Sequence, residues 1–220
     1  MITNYSELLS AVTRFWNKPN FAVYVPDFVA LAQIKLNRLI RVDWVSKRTT
    51  WDATVDSINN LGQEYTLPSD FNGIRYIKIV GSPIKSLKYI TPEAADTMNL
   101  VNQPGWSQYY TIDSGILTIL PYPTLDSQIL LSQYFRPAAL STGNEQNEFT
   151  TNAMDSLLFA SLLEATMYSK DDDMMTAWNS RLNDSIEAII EDDKQRRWGE
   201  TAMEMSSPYS DTLYGDVSSG

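Results

Sequence analysis

The sequence contains no histidine and no cysteine. Without thiols there is no disulfide, no thiolate nucleophile, no iron–sulfur cluster and no thiol-ligated zinc. Without imidazole there is no Ser-His-Asp triad and no base poised near neutral pH. Most zinc, copper and non-haem iron sites are excluded with it. Glycine is scarce, nine in 220 residues, and no G-x-x-x-x-G-K phosphate cradle occurs. No apolar run reaches membrane-spanning length, so no membrane partner is expected. The opening Met1-Ile2-Thr3-Asn4-Tyr5 lacks the basic and apolar regions of a signal peptide. Basic residues are the minority: 17 Lys+Arg against 27 Asp+Glu give a net charge of −10. That balance is the reverse of the basic footprint of a dedicated nucleic-acid binder. Carboxylate pairs, Lys or Tyr chemistry, and oxygen-bound Mg²⁺ or Ca²⁺ are what remains.

What is present is an ordinary globular composition, 43% hydrophobic and 20% charged, long enough to bury a sizeable core. Charge is unevenly spread. Residues 1–48 hold seven basic and three acidic residues, residues 145–197 hold five and twelve, and residues 198–220 hold none and four. Such asymmetry suits a molecule that packs head-to-side against copies of itself or other proteins.

The first segment reads as two helices. Tyr5, Leu8, Leu9, Val12, Phe15 and Trp16 recur at steps of three and four, with Asn4 and Glu7 as a capping-box-like start. Lys18-Pro19 ends that helix. Pro26-Asp27 opens the second, whose expected apolar stripe is Phe28, Leu31, Ala32, Leu36, Leu39 and Ile40, flanked by Lys35, Arg38 and Arg41. From residue 49 the period becomes two. About six short strands are expected, among them Ile74–Val80, one strand over Ile84–Ile90, a hairpin of Tyr109–Ile112 and Ile116–Leu120 around Asp113-Ser114-Gly115, and Gln128–Phe135. A short helix begins at Thr91-Pro92-Glu93. The helical period returns near Thr150-Thr151-Asn152, which offer N-caps. Residues 153–168 are apolar on nearly every side, which calls for enclosure all round and suggests help from subunit contacts. A last helix carries Met175, Trp178, Leu182, Ile186, Ile189 and Ile190.

The expected fold is therefore α+β. A four-helix bundle is formed by residues 1–48 and 145–199, a β-rich domain (49–144) is inserted between helices 2 and 3, and an extended C-terminal tail covers 200–220. The tail is rich in Ser, Asp and Tyr and has no Lys or Arg. That composition does not fold alone but orders on a partner, with Met203, Pro208, Tyr209, Leu213 and Tyr214 as the anchors.

No catalytic, cofactor or metal site stands out. Asp171-Asp172-Asp173 lacks the spacing of a calcium loop and suits a helix N-terminus. Glu191-Asp192-Asp193 reads as an exposed charge run. Glu145, Glu148 and Asp155 have no fixed separation that would make a glycosidase pair. Lys85 and Lys88 flank a strand without forming a basic groove. The Trp and Tyr content fits core and protein interface better than sugar stacking.

A series of short motifs carries a resemblance. It comprises Tyr5-Ser6-Glu7-Leu8-Leu9 with Trp16, Pro26-Asp27-Phe28-Val29-Ala30-Leu31-Ala32 and Leu36-Asn37-Arg38-Leu39-Ile40-Arg41. Further along come Tyr65-Thr66-Leu67-Pro68-Ser69-Asp70-Phe71, Tyr89-Ile90-Thr91-Pro92 and Leu120-Pro121-Tyr122-Pro123. The series ends with Tyr134-Phe135-Arg136-Pro137-Ala138-Ala139-Leu140-Ser141 and Asp155-Ser156-Leu157-Leu158. In this order and spacing, from residue 5 to about 198, the chain resembles the phage head-to-tail adaptor (connector) family. The resemblance implies a structural virion protein of the neck. It implies a dodecameric ring beneath the portal, a C-terminal segment docked on the portal, and a platform for a tail nozzle or tube and fibres. Genomic DNA, on that reading, passes through the lumen without specific binding. On that reading Lys35, Arg38 and Arg41 meet Glu187 and Glu191 of the next copy, and Tyr209 and Tyr214 lead the tail into the portal. The alternatives are another neck protein, a stopper or tail terminator, or a sugar-binding or hydrolytic tail component. The last would show a concave aromatic pocket with two facing carboxylates.

Overall fold

The computed structural model describes residues 2–53, 56–58, 63–80, 85–98, 105–123 and 127–198. The tail anchors Met203, Pro208, Tyr209, Leu213 and Tyr214 lie outside the described residues, as does the expected turn at 59–62.

Helix α1 (Tyr5–Trp16) starts as its sequence demands. The Asn4 side chain accepts the Glu7 amide at 2.8 Å, and the Glu7 carboxylate reaches back to accept the amide and hydroxyl of Thr3. Asn17 in the left-handed region closes the helix. A 3₁₀ segment, Pro19–Tyr24, leads into α2 (Val25–Leu39), which has proline in its first turn. After the sheets come a single-turn helix α4 (Glu148–Asn152), then α5 (Met154–Ser169) and α6 (Asp172–Trp198). The cap before α5 differs from expectation. Asn147, not Thr150–Asn152, caps α4, accepting the Phe149 and Thr150 amides, and α5 begins at Ala153 without a side-chain cap.

Helices α1, α2, α5 and α6 share one core, in which Leu8, Val12, Val29, Leu36, Leu157, Leu162 and Leu182 are essentially inaccessible. α5 lies at its centre and packs on α1, α2 and α6 of its own chain. Most of its apolar circumference is thus enclosed within the protomer, while Met167 and Tyr168 near its C-terminus stay about half exposed. Two residues of the expected α2 stripe also fall elsewhere. Leu31 and Leu39 are about half exposed, at 50% and 48%. The buried face is instead Val25, Phe28, Val29, Ala32, Gln33 and Leu36.

Between α2 and α4 in the chain lie two four-stranded sheets. The first runs β1 (Ser46–Asp52), β8 (Gln128–Phe135), β3 (Phe71–Val80), β4 (Lys85–Ser86). The second runs β2 (Glu64–Thr66), β7 (Ile116–Leu120), β6 (Tyr109–Asp113), β5 (Lys88–Tyr89). The hairpin of β6 and β7 turns on Ser114 and Gly115, both at positive φ as a two-residue hairpin loop requires. The segment expected as one strand over Ile84–Ile90 is instead two short strands in different sheets. Buried Leu87 stands between them, so one side chain anchors the crossing. A short helix α3 (Pro92–Thr97), capped by Thr91, packs on β6.

Sheet faces divide by alternation. Ile129 and Leu131 of β8 point into the second core with Trp51, Tyr65, Ile77, Leu117 and Ile119. Tyr134 packs against the helical core. β8 therefore touches both layers.

Candidate functional site

The joint between helices and sheets is polar and specific. Arg75 on β3 donates to the Asp43 carboxylate at 2.6 Å, and the Asp43 amide donates to Asp193 of α6 at 2.8 Å. Asp193 is itself ion-paired to Arg197 one turn on. The Arg75 hydrogen bond holds the Asp43 carboxyl below its usual range. Asp193, expected in an exposed charge run, is only 8% exposed. A triplet of acids looks uniform in sequence, whereas helical rotation turns the third inward. On the other side of the joint, buried Gln33 of α2 donates to the carbonyls of Pro137 and Ala138 at 3.2 and 2.8 Å and accepts the Leu140 amide. Sequence reasoning does not single out this side chain; its one signal is a polar residue on an apolar helical face.

The predicted basic residues have different fates. Lys35 sits 3.9 Å from Glu164 of α5 in its own chain. Arg41 donates to the carbonyls of Asn37 and Ile40, at 2.7 and 3.1 Å, and lies over the Tyr134 ring. It serves the C-terminus of its own helix. Arg38 is exposed. With Leu31, Ile34 and Lys35 it forms an outward face of α2 that is apolar and basic. The sequence carries a signal for that face: α2 has more apolar positions than one buried stripe requires.

Glu187 and Glu191 are exposed on α6, and with Asp184 they recur at helical spacing along its outer side. They also rim an open groove of about 470 Å³ floored by Leu39, Ile186 and Ile190, with Lys194 paired to Glu191 at 3.3 Å. The groove brings Glu187 and Glu191 beside Leu39 of the same chain, next to Arg38 in sequence. The two carboxylates stand one turn apart on one helix and do not face each other across a substrate.

At the far end of the helices, Trp16, Phe21, Tyr24, Phe28 and Tyr168 form a chain of rings with centroids 5.5–6.4 Å apart. Phe21, Tyr24 and Tyr168 remain substantially exposed beside Val23. The cluster escapes sequence reasoning because residues 19–24 read as a break between helices.

The remaining candidates resolve into structural roles. Glu145 accepts the Ser6 amide and hydroxyl at 2.9 and 2.7 Å, and these bonds hold its carboxyl below the ordinary range. A carboxylate so engaged is a clip between α1 and the chain before α4, not a general acid. Asp171 accepts the Met174 amide at the start of α6, and Asp172 and Asp173 lie in its first turn. Among the described residues no three acidic side chains gather to hold a metal ion, and no helix is long and apolar enough to cross a membrane. Lys85 and Lys88, contrary to expectation, do line one groove.

A family model described as SU10 adaptor protein matches residues 3–206, nearly the whole chain. The chain belongs to the SU10 adaptor protein family. It is a phage head-to-tail adaptor, a structural virion component and not an enzyme. An adaptor has portal and tail proteins as partners. No match was found among curated proteins. Membership removes the hydrolytic alternative and makes surfaces, rather than pockets, the functional features of this adaptor.

Proposed function

We propose that the adaptor is the repeating subunit of a ring beneath the portal, a dodecamer in the reading that the family resemblance implies, which extends the DNA channel and seats the tail nozzle or tube. The units of this subunit are a four-helix bundle (1–48 with 145–199), a β-rich module (49–144) and a portal-docking tail (200–220). The observation that carries the reading is a pair of unlike outer faces on one protomer. α2 offers Leu31, Ile34, Lys35 and Arg38. α6 offers Asp184, Glu187 and Glu191. Unlike faces pair head-to-tail, and such contacts close into rings when the rotation permits. Arg41 supports the interface from behind by fixing the end of α2. Acidic residues lining the bore would repel phosphate and let the genome slide without sticking. In the tail, Met203, Pro208, Tyr209, Leu213 and Tyr214 fold onto the portal, where Tyr side chains suit buried anchor positions.

Light scattering on the adaptor alone and with its portal tests this. The expected result is a 24.9 kDa monomer that joins the portal as a ring. A monomer that ignores the portal rejects the proposal. Deleting Ser207–Gly220 should leave a folded protomer that no longer docks. Arg38→Glu should abolish ring formation, and a second change, Glu187→Arg, should restore it in part.

A further inference from the structure

The Lys85–Tyr89 segment is the open edge of both sheets at once. Among the described residues β4 pairs only with β3 and β5 only with β6, so each is the last described strand of its sheet. The Leu87 amide goes to Ile77, and the Lys88 and Ile90 amides go to Gln108 and Tyr110. Alternation then turns the main-chain groups of Ser86 and Tyr89 away from the sheets. Exposed edges of this kind accept another strand unless blocked. Here the edge borders a groove of about 400 Å³ lined by Lys85, Ser86, Lys88 and Tyr109. Trp106, 66% exposed, lies against the Lys85 ammonium at 4.2 Å, and Tyr89 is 55% exposed. None of the described ion pairs uses Lys85 or Lys88. In a chain of net charge −10, a basic and aromatic strand edge is a specific feature.

We propose that this edge holds the acidic C-terminal segment of the same chain, residues 200–220, as an added strand. Charge complementarity points to it. The segment has four acidic residues and no basic one. Thr212, Leu213 and Tyr214 are strand formers bracketed by Asp211 and Asp216, which carry the charge opposite to Lys85 and Lys88. Length permits it. α6 passes Asp43 at Asp193, in the last turns before its end at Trp198, and Asp43 holds Arg75. From Arg75 along β3 to Ile79, the partner of Lys85, is about 13 Å at strand rise. Residues 199–220 span at most about 75 Å when extended. The tail thus lies parked on the β module and leaves it for the portal. That release rests on the portal-docking reading above, but the parked contact does not, and a test on the isolated chain separates the two.

Zero-length carbodiimide crosslinking of the dilute full-length chain should join Lys85 or Lys88 to Asp211 or Asp216. Hydrogen exchange at the Ser86 and Tyr89 amides should be more than tenfold slower in the full chain than in a chain ending at Ser206, which retains both hydrophobic cores. Lys85→Glu/Lys88→Glu should remove that protection in the full chain. Crosslinks from these lysines to Glu93 or Asp96 alone, or equal exchange with and without the tail, would overturn the proposal. So would protection that appears only when portal or another neck protein is added, since the edge would then serve a partner's strand.

Discussion

Helices α5 and α6 lie side by side and use their residues in opposite ways. α5 buries Leu157, Leu158, Leu162 and Leu163 together with Ser156, Ser161 and Thr166, on all sides of its axis. Its buried hydroxyls are partnered: Ser156 with Ser185 at 2.9 Å, Ser161 with the Leu157 carbonyl at 2.7 Å. α6 is 27 residues long yet buries only a stripe, centred on Leu182, Ser185 and Asp193 with Trp178 and Ile189 packed alongside. The contrast shows that α5 buries most of its circumference within the chain, whereas α6 buries one stripe. α2 and α6, by contrast, each keep one face exposed.

The comparison can be broken most severely at Leu162. Leu162→Ala should cost about 2–5 kcal/mol, because a fully buried leucine leaves a cavity the surrounding helices cannot collapse into. Ile190→Ala on α6, a partly exposed residue on the floor of the groove, should cost less, about 1 kcal/mol. Denaturant titration of both variants measures the contrast, and equal losses would erase it. Next in size is Asp193→Ala, expected to cost about 1–3 kcal/mol because the Asp43 amide loses its acceptor and Arg197 its partner. The same variant should loosen the joint, read as faster hydrogen exchange at Asp43. Arg38→Glu belongs at the small end for the protomer, within about 0.5 kcal/mol by the same titration, while eliminating assembly. A large loss of protomer stability would mean that Arg38 serves the fold.

The smallest effect is acid sensitivity. Glu7, Asp43 and Glu145 are held below their ordinary values by hydrogen bonds that favour the ionised form. Their contribution is complete above the unfolded carboxyl range, about 4. It disappears as pH falls through the lower folded values. A Glu145→Gln variant should therefore melt below the parent near neutrality, and the two melting curves should converge in acid. A constant gap at all pH values would show that Glu145 contributes shape rather than charge.

Local chemistry alone is enough for α1 with its Asn4 cap, for the Asp113–Gly115 hairpin and for β8. In each, the deciding interactions lie within a few residues, so a 3.6-residue period, a capping side chain or a positive-φ turn pair is sufficient. The absence of His and Cys likewise rules out most catalytic chemistry by composition alone. Tertiary structure decided the rest. Leu31 and Leu39 have the same hydrophobicity as Leu36, and only the position of α5 determines which of the three is buried. Leu87 looks like the middle of one strand until two sheets claim its neighbours. Asp193 looks like Asp192 until α6 meets Asp43. Hydrophobicity and charge are properties of a residue, but burial and partnership are properties of a position, and those are set by segments far away in the chain.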